Sequence, residues 1–217
     1  MSGSEPDVPA RVYLAGPEVF LADALDIGAE KRRLCAAYGF DGVFPMDVEI
    51  ERAGALPPLE VARRISHANE TLMQGCDLVI ANCTPFRGVS LDAGTAFEIG
   101  YMRALGRPVF GYTNIAASYR DRAHAFRLLP DWRDGDREDF MVEDFGLAEN
   151  LMIDIALRET GFAPVCTEVA PGEELSDLRG FEACLTAALA TLRDARRDNG
   201  RDSGPDARPA TGRGSEP

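Results

Sequence analysis

Residues 77–112 read DLVIANCTPFRGVSLDAGTAFEIGYMRALGRPVFGY. An apolar run (78–81) meets a turn-rich loop (84–92). A helical pattern over 93–105 is stopped by Gly106, and a second apolar run follows at 108–112. Strand, loop, helix, strand is the unit of a parallel sheet, whose strands need a crossover to run the same way. Inside the helical pattern Glu98 stands among Ala96, Phe97, Ile99 and Tyr101. Burying a carboxylate costs on the order of several kcal/mol unless it is paired or hydrogen-bonded. Acids in such surroundings concentrate at sites with chemistry to do.

The alternation continues on both sides. Upstream, 11–15 and 40–44 read as strands, separated by a helix over 23–38 that Gly39 ends. A second helix over 59–74 follows Pro57-Pro58. Downstream come a long polar segment (113–146), a helix over 150–160, a fifth strand at 163–167 and a closing helix over 180–193. The pattern predicts an α/β fold: a doubly wound, parallel, five-stranded sheet with helices on both faces, Rossmann-like in plan. The domain is expected over 11–194, after a flexible N-terminus (1–10). A disordered tail is expected over 195–217, where Gly, Pro, Arg and Asp dominate. The polar stretch 130–140, PDWRDGDREDF, reads either as a loop over the site or as a plain surface excursion.

The 217 residues carry 36 acidic and 23 basic side chains, a formal net charge of -13. That disfavours a polyanion partner such as duplex DNA, which needs clustered Lys and Arg. Lys31 is the only lysine. Five widely spaced cysteines without a CxxC pair, and two histidines, argue against a structural zinc or a redox motif. Reduced, mostly buried thiols in a cytoplasmic protein fit better. No signal pattern opens the chain, and no apolar run reaches the roughly 18 to 20 residues of a membrane span. No GxGxxG follows the first strand, so neither a dinucleotide nor a flavin is expected, and no cofactor or metal is implied.

In a sheet of this kind ligands sit beyond the carboxyl ends of the strands, at a topological switch point. Ala15-Gly16-Pro17 leaves the first strand and Asn82-Cys83-Thr84-Pro85 leaves the third. Asp92 precedes the helix of Glu98. As an N-cap it would lie in the loop and could turn toward the same pocket. Two carboxylates in different environments can divide the work of nucleophile and proton carrier. Gly94 permits close backbone approach, and Thr95 can bring a hydroxyl near a ligand. Each residue also has a purely structural reading. Asp92 and Asn150 would be caps, Tyr13 a core tyrosine, and Glu98 an acid paired with Arg103 or Arg107.

Taken together, YLAGPEVF, CDLVIANCTPFRG, DAGTAFEIGYMRALGRPVFGY and VEDFGLAENLMI resemble the nucleoside 2-deoxyribosyltransferase family over roughly residues 11–160. The resemblance implies a flavodoxin-like fold and a double displacement at the anomeric carbon. The glutamate matching Glu98 would attack C1′ of a 2′-deoxynucleoside and hold a deoxyribosyl ester. Asp92 would handle the proton on the leaving and incoming base, and Tyr13 would orient Glu98. Asn150 would come from a neighbouring subunit to bind the sugar hydroxyl, so the site needs a homodimer or larger homo-oligomer. Met152 ends the same NLM element, and Gly16, Gly94 and Thr95 line the substrate. Some members place an acid against the base where this chain has Asn69, so base selection can differ. The partners implied are a nucleoside and a free nucleobase.

Three rivals stand beside this reading. One is an N-glycoside hydrolase on the same scaffold, acting on deoxynucleosides or their 5′-monophosphates. A phosphate pocket would have to come from Arg87, Gly88 and Ser90, since AGPEVF offers no Ser or Arg. Another is a phosphoribohydrolase of the cytokinin-activating type, weakened by the absence of Pro-Gly-Gly before Thr95. The last is a non-catalytic nucleoside-binding module.

Overall fold

The computed structural model describes residues 8–47, 56–127, 141–160 and 162–201. Five parallel strands form one sheet: β1 (Ala10–Ala15), β2 (Phe40–Val43), β3 (Leu78–Asn82), β4 (Val109–Thr113) and β5 (Val165–Cys166). Their order is β2-β1-β3-β4-β5, the flavodoxin-like order, with the reversal between β1 and β3. Among the described residues six α-helices accompany them: α1 (Ala24–Ala37), α2 (Pro58–Gln74), α3 (Ala93–Ala104), α4 (Tyr119–Arg127), α5 (Leu151–Arg158) and α6 (Arg179–Arg201).

Side chains alternate across the strands and feed two cores. Val12, Leu14, Leu78, Ile80, Phe110 and Tyr112 pack with Leu34 and Cys35 of α1 and with Phe181, Cys184 and Leu185 of α6. Tyr13, Ala15, Val79, Ala81 and Val109 pack with Met73 of α2, Ile99 and Met102 of α3, and Ala156 and Leu157 of α5. Helices therefore cover both faces, which is why the central strands read as continuous apolar runs. Four of the five free thiols lie in this interior, and Cys166 is exposed. The register sets Tyr13 beside Val79 and Ala15 beside Ala81. That places the exits of β1 and β3 side by side.

Turn chemistry sets the ends. Gly39 takes φ 83° after α1, a backbone conformation that costs a side chain but not glycine. Four features differ from the sequence expectation. The polar segment after β4 contains α4, whose charged composition (YRDRAHAFR) hides its apolar face. β5 shrinks to two residues, held by one edge pairing with β4. α6 continues to Arg201, beyond the boundary drawn at 194, because its start packs on β4 and carries the rest outward as helix. β1 also begins at Ala10, inside the expected flexible start. The stretch 130–140 and the tail from 202 lie outside the described residues. No helix among the described residues is long and apolar enough to cross a membrane.

Candidate active site

α3 begins where the sequence expects it. Asp92 is its N-cap, and its Oδ2 accepts from the Thr95 amide at 3.1 Å. Thr95, Ile99 and Met102 form the buried stripe of the helix. Glu98 sits beside this stripe and points at β1. The hydroxyl of Tyr13 donates to Glu98 Oε1 at 2.6 Å. Tyr13 is fully enclosed, and burial, reinforced by the Glu98 charge, holds its hydroxyl well above the usual tyrosine range. It is thus a permanent donor. Burial pushes the Glu98 carboxyl up to about 7; the Tyr13 hydrogen bond opposes this, while the charges of Asp92 and Glu18 add to it.

The structural alternative for Glu98 does not hold. Arg103 pairs with Glu159, and Arg107 faces Asp77 at 4.0 Å. Among the described residues no cation pairs with Glu98. The carboxyl is therefore oriented by a hydrogen bond rather than by an ion pair, and among the described residues its other oxygen accepts no hydrogen bond.

Beneath the β1 exit lies a polar cluster that sequence reasoning missed. Glu18 and Lys31 are both fully buried and form an ion pair. Glu18 Oε1 also accepts from Asn82 Nδ2 at 2.9 Å and from the Tyr112 hydroxyl at 3.2 Å. One oxygen thus ties the β1 exit to α1 and to the ends of β3 and β4. Gly16 makes room for it: a Cβ there would stand 1.9 Å from Glu18 Oε2. A readable signal existed. Ala24, Ile27, Gly28, Lys31, Leu34 and Cys35 make the inward stripe of α1, and the only lysine falls on it.

The remaining predicted residues divide. Gly94 sits at the first turn of α3, where a Cβ would approach Asp92 Oδ2 to 2.9 Å, so its small size protects the cap. Thr95 serves the site through its backbone; its hydroxyl is buried without a partner among the described residues. Asn150 caps α5, accepting from the Met152 amide at 3.0 Å and donating Nδ2 to Glu143 Oε1 at 2.9 Å. Met152 is 71% exposed on the outer side of α5. Among the described residues no hydrogen bond joins Asn150, Met152 or Asn69 to the Tyr13–Glu98 pair. Asn69 lies half-buried in α2.

The loops leaving β1 and β3 touch through aromatic rings. Phe20 and Phe86 stack at 5.5 Å, and the Arg87 guanidinium lies 4.9 and 4.6 Å from their centroids. Arg87 holds this position at φ 56°, a left-handed conformation that is strained for arginine. Ser90 gives its hydroxyl to Glu149 instead.

The model of the family "nucleoside 2-deoxyribosyltransferase" matches residues 12–152, from the residue before Tyr13 to Met152. This chain belongs to the nucleoside 2-deoxyribosyltransferase family. Membership supports a glycosyl-transferring or N-glycosidase enzyme. A relative from Schizosaccharomyces pombe, described as uncharacterized protein C191.05c, is 31% identical over 164 residues, 69% of this chain and 78% of its own length. A solved 2-desoxiribosyltransferase from Leishmania mexicana shares the fold at a TM-score of 0.55. It is 24% identical and covers 84% of this chain and 98% of its own.

Proposed function

We propose that this protein transfers a 2-deoxyribosyl group between nucleobases by double displacement, with Glu98 as nucleophile. The observation that carries the reading is the Tyr13–Glu98 hydrogen bond: an uncharged donor fixes one carboxylate oxygen, and among the described residues the other has no hydrogen-bond partner. In the first displacement that free oxygen forms a bond to C1′ as the bond to the base breaks. Asp92 supplies the proton the departing base requires. In the second an incoming base displaces the ester and returns its proton to Asp92. A sugar lacking the 2′-hydroxyl supports positive charge at C1′ readily, and the negative carboxylate stabilises that charge.

A carboxyl with its midpoint at about 7 suits this double role. It is ionised in a good fraction of molecules at neutral pH. It is also basic enough to attack and acidic enough to leave. The fold's outer side supports the shared-site reading of Asn150. A groove of about 450 Å³ runs between α3 and α5, lined by Ala96, Gly100, Arg103, Leu151, Met152 and Ile155. A second copy docked there would bring its own α5 start toward this chain's α3.

Hydrolysis with water as acceptor is the second reading, and the same Glu98 ester would serve it. The nucleotide variant of that reading is weaker, because Ser90 is committed to Glu149 and only Arg87 and Gly88 remain of the three residues weighed for a phosphate. The test is chromatography of protein incubated with a 2′-deoxynucleoside, with and without a second base. A new deoxynucleoside supports transfer. Base and free sugar released at the same rate regardless of acceptor would replace transferase with hydrolase. Mixing inactive Glu98→Ala and Asn150→Ala proteins tests the shared site: recovered activity supports it, and none after subunit exchange rejects it.

A further inference from the structure

One buried carboxylate joins the segment of Asp92 to the segment of Asn150. Glu149 is 2% exposed, and its Oε1 accepts from the Ser90 hydroxyl and from the Asn150 amide at 2.9 Å. Its Oε2 accepts from Arg122 Nη2 at 3.0 Å. Arg122, on α4, is enclosed too and gives three further N–H groups to carbonyls: Val89 at 2.8 Å, Ala117 at 2.6 Å and Ala148 at 2.8 Å. The guanidinium therefore holds one carbonyl on each segment, Val89 and Ala148. The carboxylate holds one donor on each, Ser90 and Asn150. Ser90 stands two residues before Asp92, and Glu149 stands immediately before Asn150.

A buried ion pair is weak evidence for stability, since well-packed apolar residues of the same volume often do as well. Directional bonds do what apolar packing cannot: they set the distance and angle between two stretches of backbone. The side chain of Asn150 is anchored separately, through Met152 and Glu143. Loss of the Glu149 contacts would thus shift the segment without unwinding α5.

We propose that Glu149 and Arg122 are positioning residues that lock the Asp92 and Asn150 segments in one register, so that proton handling and sugar binding are set together. This inference rests on the roles proposed above for Asp92 and Asn150. With Asn150 serving a neighbouring subunit, the lock runs from one site to the next. Ordering of the Asp92 loop by a base in one site is then felt as sugar affinity in the other.

The test uses Ser90→Ala and Glu149→Gln in the full chain, with two readouts. Amide hydrogen exchange is followed at residues 150–153 and, as a control, in α6. Ser90→Ala lies on the opposite segment, yet it should speed exchange at 150–153 roughly five- to tenfold and leave α6 unchanged. Steady-state kinetics of Glu149→Gln should show the nucleoside KM raised roughly tenfold, with a smaller fall in kcat. Native exchange at 150–153 in both variants overturns the lock. Faster exchange with a native KM overturns the positioning role. Inactivity of the unaltered protein toward deoxynucleosides counts against the proposed function, while the exchange result still decides the lock.

Discussion

The Tyr13 hydroxyl reaches from β1 to α3 and donates to Glu98 Oε1 at 2.6 Å, across a separation of 85 residues. The bond favours the ionised carboxyl and works against the burial that raises its midpoint. Tyr13→Phe should therefore move the acid limb of the pH–rate profile upward by roughly one pH unit. Activity should fall more at pH 6 than at pH 8. An unshifted limb would show that Tyr13 does not govern Glu98.

Glu98 should also leave a mark on stability. Its carboxyl ionises near ~4.3 in an unfolded chain and at about 7 in the fold. Between those values the folded chain keeps a proton the unfolded chain has released. Stability must then fall as pH rises through that window, and the loss is complete above pH 7. Glu98→Gln removes the effect. It should abolish turnover and stabilise the fold at pH 8 by about 3–4 kcal/mol relative to its effect at pH 4. Urea melts at the two pH values check it. A gain that does not grow with pH would contradict the assignment.

Gly16 and Glu18 compete for one volume. Gly16→Ala would put a methyl group 1.9 Å from Glu18 Oε2, and the carboxylate cannot retreat without loosening Lys31, Asn82 and Tyr112. The expected cost is about 1–3 kcal/mol, with a fall in kcat because the crevice floor moves. Thermal melts and kinetics of the single variant measure both.

The Glu18–Lys31 pair predicts a pattern across variants. Lys31→Met strands a buried carboxylate and should cost about 3–5 kcal/mol. The double change Glu18→Gln with Lys31→Met removes both charges and should recover most of that loss. A double variant as unstable as the single would mean that the pair acts through packing rather than charge.

Much of this was legible beforehand. The parallel sheet showed in its apolar runs, because strands covered on both faces carry few polar residues. Asp92 as a helix start and Glu98 as a misplaced acid were legible in the residues themselves, whereas the contact of Tyr13 with Glu98 was expected only from the family resemblance. α4 was not legible, since charged residues interrupt its apolar positions along YRDRAHAFR. Glu18 and Arg122 were not, because their ion-pair partners lie 13 and 27 residues away in the chain and a buried ion pair has no local signature. Lys31 alone broke a visible rule, a charge on an inward helical stripe.

The burial of that one lysine has a practical consequence. No ε-amine reaches the surface of the folded protein. Amine-directed acylating reagents and cross-linkers have no lysine to attack until the chain opens, so their uptake at Lys31 times its unfolding. Fluorophores and surface attachment must instead go through the exposed Cys166 thiol, at the far edge of the sheet from β1.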